Sequence, residues 1–170
     1  MLLSTDDDPR HRYAVRDFVR WYHTCDDEGQ AVDAMPLSDP KIAARTLAPL
    51  LAGEPVEAFA VACLSPTHRL IAWHVLSCGA CQNSPIPLLD VFVLARLTSG
   101  TAALLLVHNR TNGDPTPNDD DARLTIRLAQ AADVLDMPLL DHLIIGDAGR
   151  YYSLREAGIL GRQNQDGDHT

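Results

Sequence analysis

The sequence lacks any apolar run long enough to cross a bilayer, and its start, Met1-Leu2-Leu3-Ser4-Thr5-Asp6-Asp7-Asp8, carries neither a basic region nor a full hydrophobic segment. A membrane partner and a secretory leader are therefore not expected, and a cytoplasmic location is. Positive charge is scarce too. The 14 Lys and Arg stand against 23 Asp and Glu, giving a formal net charge of −9 and a pI near 5.0. No overall positive field would gather a phosphate backbone, so nucleic acid is not an expected partner. Lysine is nearly absent, Lys41 being the only one; that is a compositional habit with little bearing on function. Of the four cysteines, Cys78 and Cys81 form one C-x-x-C, with no second pair and no thioredoxin-like context. A lone pair is a weak signal for a metal or redox role, and two small core or loop thiols, without disulfides, are the expected reading.

What is present suits a single domain: 170 residues, 46% of them apolar, enough for one sizeable core. Residues 1–9 hold three acids and a proline and read as a frayed tail. Over residues 11–25, Ala14, Phe18, Trp21 and Tyr22 recur at helical spacing with Arg12, Arg16 and Arg20 on another face, which predicts an amphipathic helix. Residues 26–38 are polar and irregular. The expected organisation is an N-terminal helix and linker over 1–38, a domain over 39–161 and a disordered tail over 162–170.

Within that domain Asp39-Pro40 reads as an N-cap and first-turn proline opening a helix over 40–52, closed by Gly53. Residues 57–64 alternate Phe59, Val61 and Cys63 with alanines and predict a strand. Residues 69–76 are its expected hairpin partner, with Trp73 and His74 on opposite faces. A helix is predicted over Leu88–Leu97. Residues 102–108, apolar on both faces, predict a central strand covered by helices. Asn118 is a natural N-cap, and Asp119, Asp120 and Asp121 complement the dipole of the helix behind it. The expected buried stripe of that helix is Leu124, Leu128, Ala131, Ala132 and Leu135, ending before Pro138. Residues 139–146 predict a last long strand, with Leu140, His142 and Ile144 on one side and Asp141, Leu143 and Ile145 on the other. The sum is an α/β fold, a helix-covered mixed β-sheet without internal repeats.

The polar stretch from His108 to Asp121 joins the most apolar strand to the most regular helix. A buried strand that delivers a histidine into a Gly/Pro turn, followed by an acid-rich helix start, is a layout used by metal and catalytic sites. A solvated loop ahead of a capped helix reads the same way. Taken singly, His108 is a strand-end histidine bonded to backbone and Asp121 a first-turn acid serving helix amides. His142 beside Asp141 reads as a satisfied core pair, and Tyr151, Tyr152 and Ser153 as packing and turn residues.

Taken together, several ordered motifs carry more. His108-Asn109, Gly113-Asp114-Pro115-Thr116-Pro117, Leu139-Leu140-Asp141-His142-Leu143-Ile144-Ile145-Gly146-Asp147 and Tyr152-Ser153-Leu154-Arg155-Glu156-Ala157-Gly158 resemble the C-terminal JAB/MPN domain of RadC-type proteins. The match runs over residues 40–160 and takes in Ser77-x-Gly79 and Glu57. The resemblance implies a JAB-type (JAMM metallopeptidase, cytidine-deaminase-like) fold. It further implies zinc held by two histidines of an H-x-H and an aspartate, with an early-strand glutamate handling the bound water. Three such ligands leave a fourth position for a water whose pKa zinc lowers. Residue by residue, His108 matches the first histidine, Asp121 the aspartate and Glu57 the glutamate. Asn118 stands where the family has a serine that steadies the oxyanion, Thr111 and Asn112 replace Pro-Ser, and Arg110 occupies the place of the second histidine.

A guanidinium has no lone pair to give and keeps its proton, so Arg110 ligates no cation. At about 5 Å from a divalent ion and an effective dielectric of about 20, it would be repelled by roughly 6–7 kcal/mol. His108 and Asp121 alone are fewer ligands than a stable zinc site uses. Arg110 is expected instead to pair with Asp121 or Glu57, neutralising acids that zinc would otherwise compensate. The functional expectation is a catalytically degenerate domain without cofactor, serving as a binding or scaffold module for a protein or peptide. The alternative is an active zinc-dependent hydrolase or isopeptidase whose third ligand comes from His74, Cys78 or Cys81.

Overall fold

The computed structural model describes residues 20–21, 35–51, 56–78 and 88–161, with backbone alone for 20–21 and 77–78. In chain order the elements are β1 (Arg20–Trp21), α1 (Pro40–Leu51), β2 (Ala58–Leu64), β3 (Leu70–Cys78), α2 (Leu88–Leu97), β4 (Ala103–Asn109), α3 (Asp119–Val134), β5 (Leu139–Ile145) and β6 (Tyr151–Ser153). They form one six-stranded sheet in the order β1-β3-β2-β4-β5-β6. Only β4 and β5 run parallel, joined through α3 as parallel strands require a crossover. Among the described residues no helix is long and apolar enough to cross a membrane.

The alternation along β2 decides how the layers stack. Ala58, Ala60, Ala62 and Leu64 face α1, where Ala43, Leu47 and Leu51 meet them together with Leu105, Val107, Leu143 and Ile145. Phe59, Val61 and Cys63 face the other way, into Val91, Phe92 and Ala95 of α2 and Leu128 and Ala132 of α3. Every residue of β2 is buried, as is all of β4 except Asn109. Small alanines on one face let α1 approach closely, and the bulkier set on the other fills the space under two helices. The hairpin of β2 with β3 is present, and Trp73 joins the α1 side, while His74 bonds Thr98 behind α2.

Four expectations change. Arg20 and Trp21 pair as a strand with Trp73 and Ala72 of β3 rather than continuing a helix, because the outer edge of β3 offers open backbone groups. The remainder of the expected helix over 11–25 lies outside the described residues, as do Ala52, Gly53 and the tail over 162–170. Leu37, placed in the linker, is 2% exposed and belongs to the core under α1, its N–H donating to the His68 carbonyl at 2.8 Å. Leu135 is not part of the buried stripe. α3 stops at Val134, Asp136 turns with φ 49°, and Met137 takes the buried place. Leu140 joins Leu143 and Ile145 rather than His142 and Ile144. Leu104 pairs with Leu139 and Leu105 with Asp141, so one residue bulges out of β5 and the alternation slips.

Candidate functional site

The site forms at one end of the sheet, where β2 begins and β4 and β5 finish. Phe59 of β2 and Ile144 of β5 flank His108 of β4 in register. Asn109 Oδ1 accepts the Ala58 N–H at 2.7 Å, and its Nδ2 donates to the Val56 carbonyl at 3.5 Å. This side chain therefore fastens the start of β2, and with it Glu57, to the end of β4. The loop that follows is tied down at several points. Arg110 N–H donates to the Ile145 carbonyl at 2.8 Å, and the Gly113 carbonyl accepts from Asp147 N–H at 3.0 Å and Arg150 Nη2 at 2.7 Å. Gly113 has φ +75°, and a Cβ there would lie 1.9 Å from Asp147 Oδ2, so glycine is required on both counts.

Arg110 turns inward. Its side chain is 9% exposed, with Nη1 3.3 Å from Glu57 Oε2 and Nη2 hydrogen-bonded to Asp121 Oδ2. The pairing expected with one carboxylate is made with both, as the planar fork of a guanidinium permits. Asp121 is also the third residue of α3. Its Oδ2 accepts the Asn118 N–H at 2.8 Å while Asn118 Oδ1 accepts the Asp121 N–H at 2.9 Å, a complete capping box. Burial raises the Asp121 pKa above its usual range, with the Asn118 N–H and Arg110 pulling the other way. The Asn118 side chain is thereby held against the helix start, and the single-residue reading of Asp121 as a helix-capping acid holds alongside its place in the site.

The imidazoles form a second, neutral layer. His108 Nδ1 lies 2.9 Å from His142 Nε2, and His142 Nδ1 lies 2.6 Å from Thr125 Oγ1, which donates to the Asp121 carbonyl at 2.6 Å. Phe59 stacks on His108 at 6.1 Å between centroids and meets His142 edge-on at 5.5 Å. Burial pushes the His142 pKa down to about 3, with Arg110 assisting. Burial likewise holds His108 well below 6.5, with His142 and Arg110 contributing. Among the described residues His108 Nε2 has no hydrogen-bond partner, and it sits 3.6 Å from Asp121 Oδ1.

The expected pair between the His142 ring and Asp141 is not formed, since neighbours along a strand point to opposite faces. Asp141 lies on the α1 side and accepts from its neighbour's N–H, Ser153 Oγ and Arg155 N–H at 2.7, 2.5 and 2.9 Å. His142, Thr125 and Asn109 are the participants that reading single residues missed. The dipeptide Asn109-Arg110 and the helical spacing from Asp121 to Thr125 were the signals available for two of them.

These donors do not fit the zinc that the resemblance implies. His108 Nε2 and Asp121 supply two ligand atoms, the third place is filled by a cation, and that cation engages the aspartate. Of the replacements considered, His74 places its Nε2 2.9 Å from Thr98 Oγ1, at the end of α2. The Cys78 side chain and Cys81 lie outside the described residues. Among the described residues, no three His, Cys, Asp or Glu side chains converge as a metal cage.

The chain is 40% identical over 104 residues, 61% of its length, to a UPF0758 protein of Alkaliphilus metalliredigens, of which the match covers 44%. It is 35% identical over 150 residues, 88% of its length, to UPF0758 protein Smlt0399 of Stenotrophomonas maltophilia, covering 58% of that protein. The chain thus spans about half the length of the curated relatives it matches. The family model described as RadC-like JAB domain matches residues 37–159, beginning at the buried Leu37 and taking in every site residue named above, and the chain belongs to that family.

Proposed function

We propose that this RadC-like JAB domain is catalytically degenerate and works in the cytoplasm as a binding or scaffold module for a protein or peptide partner. The observation that carries the reading is the Arg110 guanidinium bridging Glu57 and Asp121. It supplies positive charge where the family places a divalent ion. It also engages one oxygen of the glutamate that would handle water and one of the aspartate that would ligate. Glu57 and Asn118, matched to catalytic positions, here hold a guanidinium and a helix cap.

The test is elemental. Purified wild-type protein, dialysed without chelator, is expected to carry far less than one zinc per chain, and Arg110→His to gain zinc towards one per chain. Near-stoichiometric zinc in the wild type, together with zinc-dependent cleavage of an isopeptide or peptide substrate, would overturn the reading. That outcome would favour the alternative of a hydrolase with a rewired third ligand.

A further inference from the structure

We infer that Thr125 and His142 are positioning residues that lock His108 in its Nδ1–H tautomer, so that the site presents a buried hydrogen-bond acceptor, His108 Nε2, beside the Asp121 carboxylate. The inference starts from an atom that can only accept. The Asp121 carbonyl is an acceptor only, and it lies 2.6 Å from Thr125 Oγ1, so the single hydroxyl proton of Thr125 points to it. Thr125 Oγ1 must then accept from His142 Nδ1 at 2.6 Å. A neutral His142 protonated on Nδ1 has a lone pair on Nε2, which accepts from His108 Nδ1 at 2.9 Å. His108, protonated on Nδ1, is left with a lone pair on Nε2.

The opposite direction fails at both ends. It would set two oxygens 2.6 Å apart without a proton between them. It would also ask a His108 Nε2–H to reach Asp121 Oδ1 across 3.6 Å, beyond hydrogen-bond length. Phe59, stacked on one ring and edge-on to the other, holds both ring planes against the rotation that would exchange the nitrogens. His108 is 5% exposed, and its Nε2 is a buried polar atom with no partner among the described residues. The chain of bonds therefore sets the polarity of the site. Two acceptors, His108 Nε2 and Asp121 Oδ1, stand side by side, and the group that completes them is one that donates, an N–H or O–H of a peptide or amine, while carboxylate or phosphate is repelled. This ligand class rests on the proposed binding role; the tautomer does not.

The experiment is the ring ¹⁵N spectrum of histidine-labelled full chain, recorded by long-range proton–nitrogen correlation and assigned by single-histidine substitution. In the wild type the His108 resonances are expected to show Nδ1 protonated and Nε2 bare. Thr125→Val cannot accept from His142. Of the two N–H groups that could then stand unpaired, the one on His108 Nε2 faces the Asp121 carboxylate, while the one on His142 Nδ1 faces only a methyl. Both rings, without rotating, are therefore expected to take the other tautomer, with the His108 proton on Nε2. Thr125→Ser retains the hydroxyl and the wild-type pattern. A wild-type His108 protonated on Nε2 overturns the inference and the donor class with it. So does a folded Thr125→Val with an unchanged tautomer. If Thr125→Val does not fold, the wild-type and Thr125→Ser spectra decide. Zinc found in the wild type would refute the proposed function without touching the tautomer assignment, so the two failures are distinguishable.

Discussion

Replacing Arg110 by methionine keeps most of the apolar stem and removes the charge that joins Glu57 to Asp121. The two carboxylates, with side chains 16% and 12% exposed, would then be left without their cation and close to each other. Removing one partner of a buried ion pair costs about 3–5 kcal/mol. Some solvent reaches both acids here, which lowers the expectation to about 2–4 kcal/mol. For a domain whose total stability is of order 5–15 kcal/mol, that is a large loss. With a urea slope of about 2 kcal/mol per molar, the unfolding midpoint should fall by about 1–2 M with the slope unchanged. The loss should shrink between pH 7.5 and 5, because acids without a partner escape by taking up protons. Adding Glu57→Gln and Asp121→Asn to Arg110→Met should recover most of it, since neutral amides need no counter-charge. A loss below about 0.5 kcal/mol for Arg110→Met at pH 7.5, within the range of ordinary surface changes, would refute the argument that the guanidinium balances two buried acids.

Three further outcomes follow from the same geometry. His142 has its pKa pushed down to about 3 when folded, against 6.5 in the open chain, so between those values the unfolded state binds the extra proton. The stability His142 contributes is complete above pH 6.5 and is lost as pH falls, by up to about 1.4 kcal/mol per pH unit. Asp121 and Asp141, raised by burial, act in the opposite sense above 3.8 and offset part of that loss. Urea midpoints of wild type and His142→Asn from pH 7.5 to 5 should differ in slope by about one proton, and identical slopes would count against a neutral buried ring. Asn118→Ala removes one arm of the capping box and should cost about 1 kcal/mol in thermal or urea unfolding, with Asn118→Ser close to neutral. Gly113→Ala, at φ +75° and against Asp147, should cost about 1–3 kcal/mol and shift the amide resonances of the 110–118 loop; a neutral result would mean the loop is not held as described.

The elements that local chemistry decides were legible in the chain. β2 showed itself by alternation, α3 by its cap and acidic first turn, and the helix Leu88–Leu97 by the Pro85-Ile86-Pro87 that leads into it, and each lies where those signals place it. The pairing of Arg110 with carboxylates was legible for another reason. A charge that cannot ligate, set among acids by a recognisable motif, has few neutral arrangements open to it. What was not legible depends on contacts distant in sequence. The bulge at Leu140 comes from the register between β4 and β5, which single-strand alternation does not contain. Leu135 and Met137 exchange roles because α3 unwinds at Val134 and turns through Asp136. His142 read as a partner of the adjacent Asp141, whereas its ring crosses the layer to His108 and Thr125, residues 34 and 17 positions away.

How the site holds its shape follows from how each member is anchored. Asp121 is held by the cap of α3, Glu57 by the side chain of Asn109 across two strands, and His108 by His142 and the Phe59 ring. None of these tethers passes through a metal or through the residue at position 110. Arg110 therefore enters a frame already built, and its charge need only balance acids whose positions are set by other bonds. On the proposed function the chemistry of this domain turns on position 110, while the geometry of the site is carried by the sheet and the start of α3.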